Sequence, residues 1–295
     1  MLEAEPTKLT EPVARSQWWL FRRRFFRHRG AVISLGVLGL LALACFGATW
    51  IAPFGPTDQD LLLGPVSPSG KHWLGTDDLG RDQLSRLLYA GQISLKIGFS
   101  VALISTVFGT AIGAIAGYFG RWSDQVLMRF TDLFLIVPQL AILAVALNQL
   151  GRTDVTIILV VSFVFWMGVA RVVRGQVLAI REKEFVEAAR ASGVSPARVI
   201  VRHIIPNIVG PIMVTATLGI AAAIITESTL SFLGFGVDPP STSWGQMLSD
   251  AEGAVGTDRS YLIYGPGLAI LITVLCVNFI GDGLRDAFDP QDDKH

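Results

Sequence analysis

The sequence predicts an all-α integral membrane protein with six transmembrane helices and both termini in the cytoplasm. Three observations predict it. Hydrophobic residues make up 51% of the 295 and charged residues only 16%, whereas a soluble domain usually carries about a quarter charged residues. The apolar residues are gathered into long blocks, as lipid requires and a water-soluble core does not. The blocks are also unbroken rather than alternating. That makes them helices, because lipid admits only structures that satisfy every backbone polar group internally.

The first block, Gly30 to Ile51, contains no charged residue. At 1.5 Å per residue it is long enough for a hydrocarbon layer of about 30 Å. Arg22, Arg23, Arg24, Arg27 and Arg29 precede it. A basic stretch before an apolar run resembles a secretory signal, but this run is too long for one and further blocks follow, so it reads as a retained span. The second block is Ile97 to Gly120, the third Leu133 to Leu150, and the fourth Val155 to Ala170, bounded by Asp154 and Arg171. The fifth runs from Ile208 to Thr226 and the sixth from Ser260 to Gly281.

Six spans return the chain to its starting side, and lysine and arginine choose that side. Lys8, Arg15, the five arginines before the first span, Arg121, Arg129, the seven basic residues from Arg171 to Arg202, Arg285 and Lys294 account for eighteen of the twenty-four basic residues. Lys71, Arg81, Arg86, Lys96, Arg152 and Arg259 fall on the other side. The positive-inside rule therefore places both termini in the cytoplasm. The expected organisation is a basic cytoplasmic segment over 1–29, a first span over 30–52, and an extracytoplasmic loop over 53–92. A five-helix core follows over 93–284, with a cytoplasmic loop at 171–207 and a cytoplasmic tail at 285–295.

Several function classes are excluded. A net charge of zero gives no large nucleic-acid surface. Cys45 and Cys276 each lie inside an apolar block with no CxxC partner, which predicts neither disulfide framework nor zinc site. His28, His72, His203 and His295 share no metal-ligand spacing. The string from Gly64 to Gly70-Lys71-His72 lacks the spacing of a phosphate-binding loop and the hydroxyl residue after its lysine. No GxSxG, HExxH or Cys/His arrangement occurs. The chain is expected to bind no ATP and no metal and to hold no catalytic residue.

The segment 171–207 reads as two short helices. In the first, Phe185, Ala188, Ala189 and Ser192 form a stripe of mostly small residues, while Glu184, Glu187 and Arg190 form a charged one. Gly193 suits the helix C-terminus, where a positive φ is often needed. Ser195 and Pro196 suit an N-cap and first helical position. The second helix presents Val199, Ile200, His203 and Ile204 on one side, and Pro206 ends it and opens the fifth span. Pattern alone leaves two readings open, a helix pair lying along lipid headgroups or one docked on a partner.

Three other features carry two readings each. Residues 74–95 contain Asp82 and Arg86, and Leu84 and Leu88, at i,i+4 spacing. They predict a short amphipathic helix on the outer face, serving as a brace against the sixth-span side or as a contact for delivered substrate. Gly109, Gly113 and Gly117 clear one face of the second span for close helix approach, either as static packing or as a sliding interface. Glu227 is the acidic residue at the end of the fifth apolar block. It faces the translocation path near an outer gate, or it braces a neighbouring loop. Beyond it Gly234, Gly236, Pro239 and Pro240 break the helix, and Trp244 is placed as an interface anchor.

Glu187-Ala188-Ala189, Gly193 and His203-Ile204-Ile205-Pro206 resemble the EAA loop of bacterial ABC importer permeases, with His203 and Ile205 in place of the more usual Ile and Leu. Three further stretches are similar to the C component of the dipeptide, oligopeptide and nickel importers. They are Leu74-Gly75-Thr76-Asp77 through Tyr89, Ile93-Ser94-Leu95 through Asp132, and Glu227-Ser228-Thr229-Leu230-Ser231-Phe232-Leu233-Gly234 through Ser243-Trp244-Gly245. With the EAA loop they extend over roughly residues 20 to 290.

The resemblance implies a type I ABC importer permease bundle in the bacterial cytoplasmic (inner) membrane. Glu184, Glu187, Ala188, Ala189, Arg190, Gly193, Val194, Ser195, Pro196 and Arg198 would form the coupling loop that docks on an ATPase, with Pro206 as hinge to span five. It implies two ATPase subunits that bind ATP and Mg, a second homologous permease forming a heterodimer, an extracytoplasmic substrate-binding protein, and a peptide substrate. The alternatives are a nickel or other small-ligand permease and, from another class, an ion-driven secondary transporter, which would need a midplane ion site in repeated halves. No repeated halves occur.

Overall fold

The computed structural model describes residues 17–288; Lys8, Arg15 and Lys294, used in the charge comparison, lie outside this range, as do most of the basic segment and tail expected over 1–29 and 285–295. Twelve α-helices follow one another among the described residues, and they contain no β-strand. A basic helix α1 (Gln17–Arg27) leads to α2 (Arg29–Phe46), whose start is capped by His28 accepting from the Ala31 amide at 3.0 Å. A short α3 (Ala48–Ile51) ends the first span. The long helices are α4 (Gln83–Phe119), α7 (Asp154–Ile180), α10 (Val209–Leu230) and α12 (Tyr261–Phe288). Between them stand α5 (Arg121–Ile136), α6 (Gln139–Leu150), α8 (Glu184–Ala191), α9 (Pro196–Val199) and α11 (Trp244–Asp250). Helices α2, α4, α7, α10 and α12 are each long and apolar enough to cross a membrane, and the bent pair α5 and α6 has the length and apolar composition of a sixth span only when the two are taken together.

That bend corrects the third expected span. Leu133 to Leu150 is not one straight helix: α5 and α6 meet at 86°. Proline at 138 holds Val137 extended, with φ −80° and ψ 136°, and cannot donate to the helix ladder.

Two other expected boundaries move for a shared reason. The outer amphipathic helix expected within 74–95 is the first part of α4, which is 37 residues long, so the loop ends at Asp82 rather than at residue 92. The fourth span runs on to Ile180, so the connecting loop begins at Arg181, not Arg171. Charge marked these boundaries in the sequence, but charge does not end a helix when it finds a partner. Arg86 is buried between Asp77 and Asp250 at 2.6 and 2.9 Å, and Lys96 meets Asp154 at 2.6 Å. Arg171 pairs with Asp132, and Arg174 pairs with Asp124, its Nη2 donating at 2.6 Å. The expected i,i+4 pair of Asp82 and Arg86 does not form. Asp82 caps α4 instead, accepting from the Ser85 amide and hydroxyl, each at 2.8 Å.

The closest helix pairing is α4 against α7, and glycine makes it. A β-carbon at Gly109 would lie 2.7 Å from the Trp166 carbonyl oxygen, and one at Gly117 would lie 2.8 Å from Val177 Cβ. At Gly113 it would run into the Ala170 backbone, whose Cα would be 3.0 Å away. With no side chain on that face, Val169, Ala170, Val173 and Val177 of α7 bury fully against α4. Helices α10 and α12 complete the bundle, and α2 lies outside them against α12.

The bundle has two distinct ends. At one, the loop 52–82 and the segment 231–260 interlock. Tyr261 donates to the Thr76 carbonyl at 2.8 Å, Arg259 pairs with Asp78, and Arg86 bridges to Asp250. These bonds give residues 74–86 the role of a brace against the start of the sixth span. At the other end lie α1, the α4–α5 corner, the connection 181–208 and the C-terminus of α12; this is the basic end. Trp244, expected as an interface anchor, is instead fully buried at the first end. Its indole donates to the Leu87 carbonyl at 2.9 Å, and its amide donates to Ser94 at 3.0 Å.

Candidate functional site

The connection 181–208 at the basic end is a compact lever. Lys183, in extended conformation, precedes α8, and Glu184 and Glu187 fill the first turn where the helix dipole favours carboxylates. The helix ends in a Schellman motif at Ser192-Gly193. The Gly193 amide bonds the Arg190 carbonyl at 3.0 Å, and the Val194 amide reaches back to Ala189 at 3.1 Å. Gly193 has φ +75°, where a β-carbon is strained although the space around it is open. Ser195 stands at the N-cap position of α9 but its side chain accepts no capping bond, and Pro196 occupies the first helical position as expected.

The lever's base is apolar. Val186, Val199 and Ile204 are completely buried, and with Ile200, Val173 and Val177 they form one cluster, with Ala189 and Val194 half-buried at its rim. Val186 lies outside the expected stripe of Phe185, Ala188, Ala189 and Ser192, of which only Ala189 reaches the buried base. Phe185 and Ala188, with Glu184, Glu187, Ser195, Pro196 and Arg198, lie on the exposed face instead, and Phe185 is 44% exposed. The tie of this face to the bundle is Arg190, whose guanidinium sits 4.7 Å above the Tyr118 ring at the end of α4. Nearby, Arg181 donates to the Gly117 carbonyl at 2.9 Å.

The lever passes to α10 through backbone that is not α-helical. Ile200–Ile204 is a π-turn and Ile205–Asn207 a 3₁₀ turn carrying Pro206. Asn207 donates to the His203 carbonyl at 2.7 Å, across the turn. Proline at 206 and the change of helical pitch interrupt the α-helical ladder at this junction, between the shared buried base of α8 and α9 and the continuous helix α10.

At the opposite end of α10, Glu227 is 1% exposed and accepts from Ser231 at 2.7 Å and Ser243 at 2.6 Å through one carboxyl oxygen. Ser243 also caps α11, accepting from the Gln246 amide at 3.1 Å. Glu227 therefore joins the end of span five to the loop carrying Trp244, which is the bonding of the brace reading. Its other carboxyl oxygen, Ser228 Oγ and Thr242 Oγ1 are buried and unbonded. We expect Glu227→Ala to destabilise the protein by about 2–4 kcal/mol, from two orphaned buried hydroxyls and a cavity, while Glu227→Gln recovers most of the loss. Thermal unfolding of both variants in detergent checks this, and equal midpoints for Ala and wild type would dismiss the brace.

The sequence-predicted residues thus fall into three places rather than one pocket. The coupling-loop residues and Pro206 gather at the basic end, Gly109, Gly113 and Gly117 line the α4–α7 contact, and Glu227 lies at the far end of α10. Arg181, which donates to the Gly117 carbonyl, and Tyr118, whose ring lies under Arg190, anchor the lever, and neither contact had a local signal, since the partners are distant in sequence.

Two known families match. The family described as binding-protein-dependent transport system inner membrane component covers residues 109–291. The family described as the N-terminal transmembrane domain of oligopeptide transport permease C covers residues 16–65. The oligopeptide transport system permease protein OppC of Haemophilus influenzae is 41% identical over 280 residues, 94% of this chain and 90% of that protein. The protein of the same name from Mycobacterium bovis is 41% identical over 272 residues, 91% of this chain and 92% of its own length. A protein named as a peptide permease of Brucella suis is 40% identical over 283 residues, 96% of this chain and 92% of that protein.

Proposed function

The chain belongs to the family of binding-protein-dependent transport system inner membrane components, and from that premise we propose that it is the C-type permease subunit of an ATP-driven importer of peptides. It is a multi-pass protein of the inner membrane, and its relatives are named for oligopeptide or peptide transport, which favours peptide over nickel as cargo. The basic end faces the cytoplasm in this reading, supported by the excess of lysine and arginine there. The chain contributes half of the pore. A related second permease supplies the other half, an extracytoplasmic binding protein delivers the peptide, and two separate ATPases bind ATP and Mg.

One observation carries the reading: α8 and α9 bury a shared apolar base while leaving Glu184, Phe185, Glu187 and Ala188 uncovered. A helix pair lying along headgroups would turn its apolar side to lipid. Here that side is spent on the bundle, and a mixed face of carboxylates, alanine and phenylalanine is left for a protein groove. ATP-driven closure of the ATPases displaces this face, the base passes the displacement to α7, and the junction at Pro206 passes it to α10. Glu227 and Ser243 hand it to the opposite end.

Glu187→Arg tests the docking role, because residue 187 is exposed and makes no ion pair among the described residues. The variant should assemble and melt like wild type while labelled-peptide uptake falls at least tenfold and ATP hydrolysis no longer responds to peptide-loaded binding protein. Wild-type uptake would refute docking through α8.

A further inference from the structure

We propose that α1 carries a binding site for the phosphodiester headgroup of an anionic phospholipid, formed by Arg22, Arg23 and Arg27 with Trp19 and Phe26. The helix has two unlike sides. Phe21 and Phe25 face the bundle: the Phe21 ring is 4.5 Å from that of Phe288, and Phe25 is buried with Ala31 and Ala287. Trp19, Arg22, Arg23, Phe26 and Arg27, at i, i+3, i+4, i+7 and i+8, line an open hollow of about 460 Å³ on the other side. Arg23 lies 5.3 Å over the Trp19 ring, which holds its guanidinium at the rim of the hollow.

No carboxylate among the described residues pairs with this face. No aspartate or glutamate occurs between Glu11 and Asp58, and Arg22, Arg23, Arg27 and Arg29 make no ion pair with a carboxylate of the described residues. Arginine in this number, unpaired on one helix face, is complementary to a phosphodiester, which accepts the planar guanidinium in two parallel bonds.

Position selects lipid as the source of that phosphate. Helix α1 passes directly through His28 into α2, whose Ile33, Leu35, Leu40 and Leu43 are exposed as a lipid-facing surface requires. One turn before a span is the headgroup layer. Trp19 is 41% exposed and Phe26 60% exposed among the arginines, and a tryptophan with an apolar ring beside it belongs where one end is apolar and the other wet. A soluble anion would use the arginines and leave the exposed Phe26 ring in water. The inference needs only that α2 spans the membrane and is independent of the peptide reading and of which end faces the cytoplasm.

The test uses the purified transporter containing the full chain, reconstituted in phosphatidylcholine vesicles with a minor share of spin-labelled phosphatidylglycerol or, in parallel, spin-labelled phosphatidylcholine. Wild type should hold the anionic label in preference to the neutral one. Adding salt should weaken that preference, and millimolar inorganic phosphate should leave it unchanged. The triple variant Arg22→Gln/Arg23→Gln/Arg27→Gln should lose about tenfold or more of the preference. Arg129→Gln/Arg202→Gln, which removes two charges at the same end, should keep most of it. If the triple variant fails to assemble, Arg22→Lys/Arg23→Lys/Arg27→Lys carries the test: it retains the charge but not the paired guanidinium bonds, so it should keep a salt-sensitive preference that is weaker than that of wild type. Equal retention of both labels by wild type, an unchanged preference in the triple Gln variant, an undiminished preference in the Lys variant, or displacement by inorganic phosphate would each overturn the assignment.

Discussion

Gly113→Leu should destabilise the folded transporter by about 3 kcal/mol, whereas Gly36→Leu should leave its stability unchanged. The two glycines are both inside spanning helices, and helix propensity improves equally at both when leucine replaces glycine. What differs is the space beyond the α-carbon. At Gly113 the new β-carbon would run into the main chain of Ala170 on α7, which cannot swing aside like the far end of a side chain, and Val173 Cβ would be 3.0 Å away. At Gly36 nothing lies within 4 Å. Leucine at 113 would push α4 from α7 along the largest contact in the bundle, and Val169 and Val177 beside Gly109 and Gly117 would lose their packing with it. Overpacking of a tight core costs about 1–3 kcal/mol, and a clash with backbone belongs at the top of that range. Size-exclusion chromatography and a thermal melt of each detergent-extracted variant measure the effect. Equal melting of the two leucine variants would mean that α4 and α7 slide apart without penalty.

Arg86→Met should destabilise the end opposite the lever by about 3–5 kcal/mol, the range for removing one partner of a buried ion pair. Arg86 is 3% exposed and bonds Asp77 at 2.6 Å and Asp250 at 2.9 Å. Asp77 is itself committed, accepting from the Leu79 and Arg81 amides at 3.0 and 2.9 Å and from the Arg81 side chain at 2.7 Å. Methionine matches the length of the arginine stem but leaves Asp77 with a single cation and frees Asp250 from α4. The loop 53–82 and α11 should then loosen together. Limited proteolysis would detect this as new cleavage between residues 58 and 70, at temperatures where wild type resists. The same variant should leave the lever region protected, because no bond of the network reaches the basic end. A melting midpoint within experimental scatter of wild type would show that the network contributes nothing.

Much of this architecture was legible in the sequence because lipid imposes a coarse rule: charge-free blocks of sufficient length become spans. The same rule misplaced their ends. Lys96 and Arg171 look like boundaries until Asp154 and Asp132 are brought beside them, and Lys96 and Asp154 are separated by 58 positions. The break at Pro138 did carry a local signal, the proline itself, which was outweighed by the apolar run around it. In the lever, Gly193 and Pro196 could be placed from backbone preference alone. The side that packs inward could not, since Phe185 and Val186 are adjacent and both apolar. The cluster of Val173, Val177 and Val199 selects Val186, and only the folded α7 assembles that cluster. Glu227 was identifiable as a residue needing a polar partner; that the partner is Ser243, beyond a run of glycine and proline, depends on how the segment 231–243 folds back.

The central claim is that the exposed face of α8 meets an ATPase. Glu187→Cys offers a single accessible thiol there, since Cys45 and Cys276 are buried. In membranes holding the assembled transporter, a short thiol- and amine-reactive cross-linker should join residue 187 to an ATPase subunit, with a yield that changes when ATP is added. An adduct with the external binding protein, or reaction of residue 187 with a membrane-impermeant reagent from outside intact cells, would contradict the account.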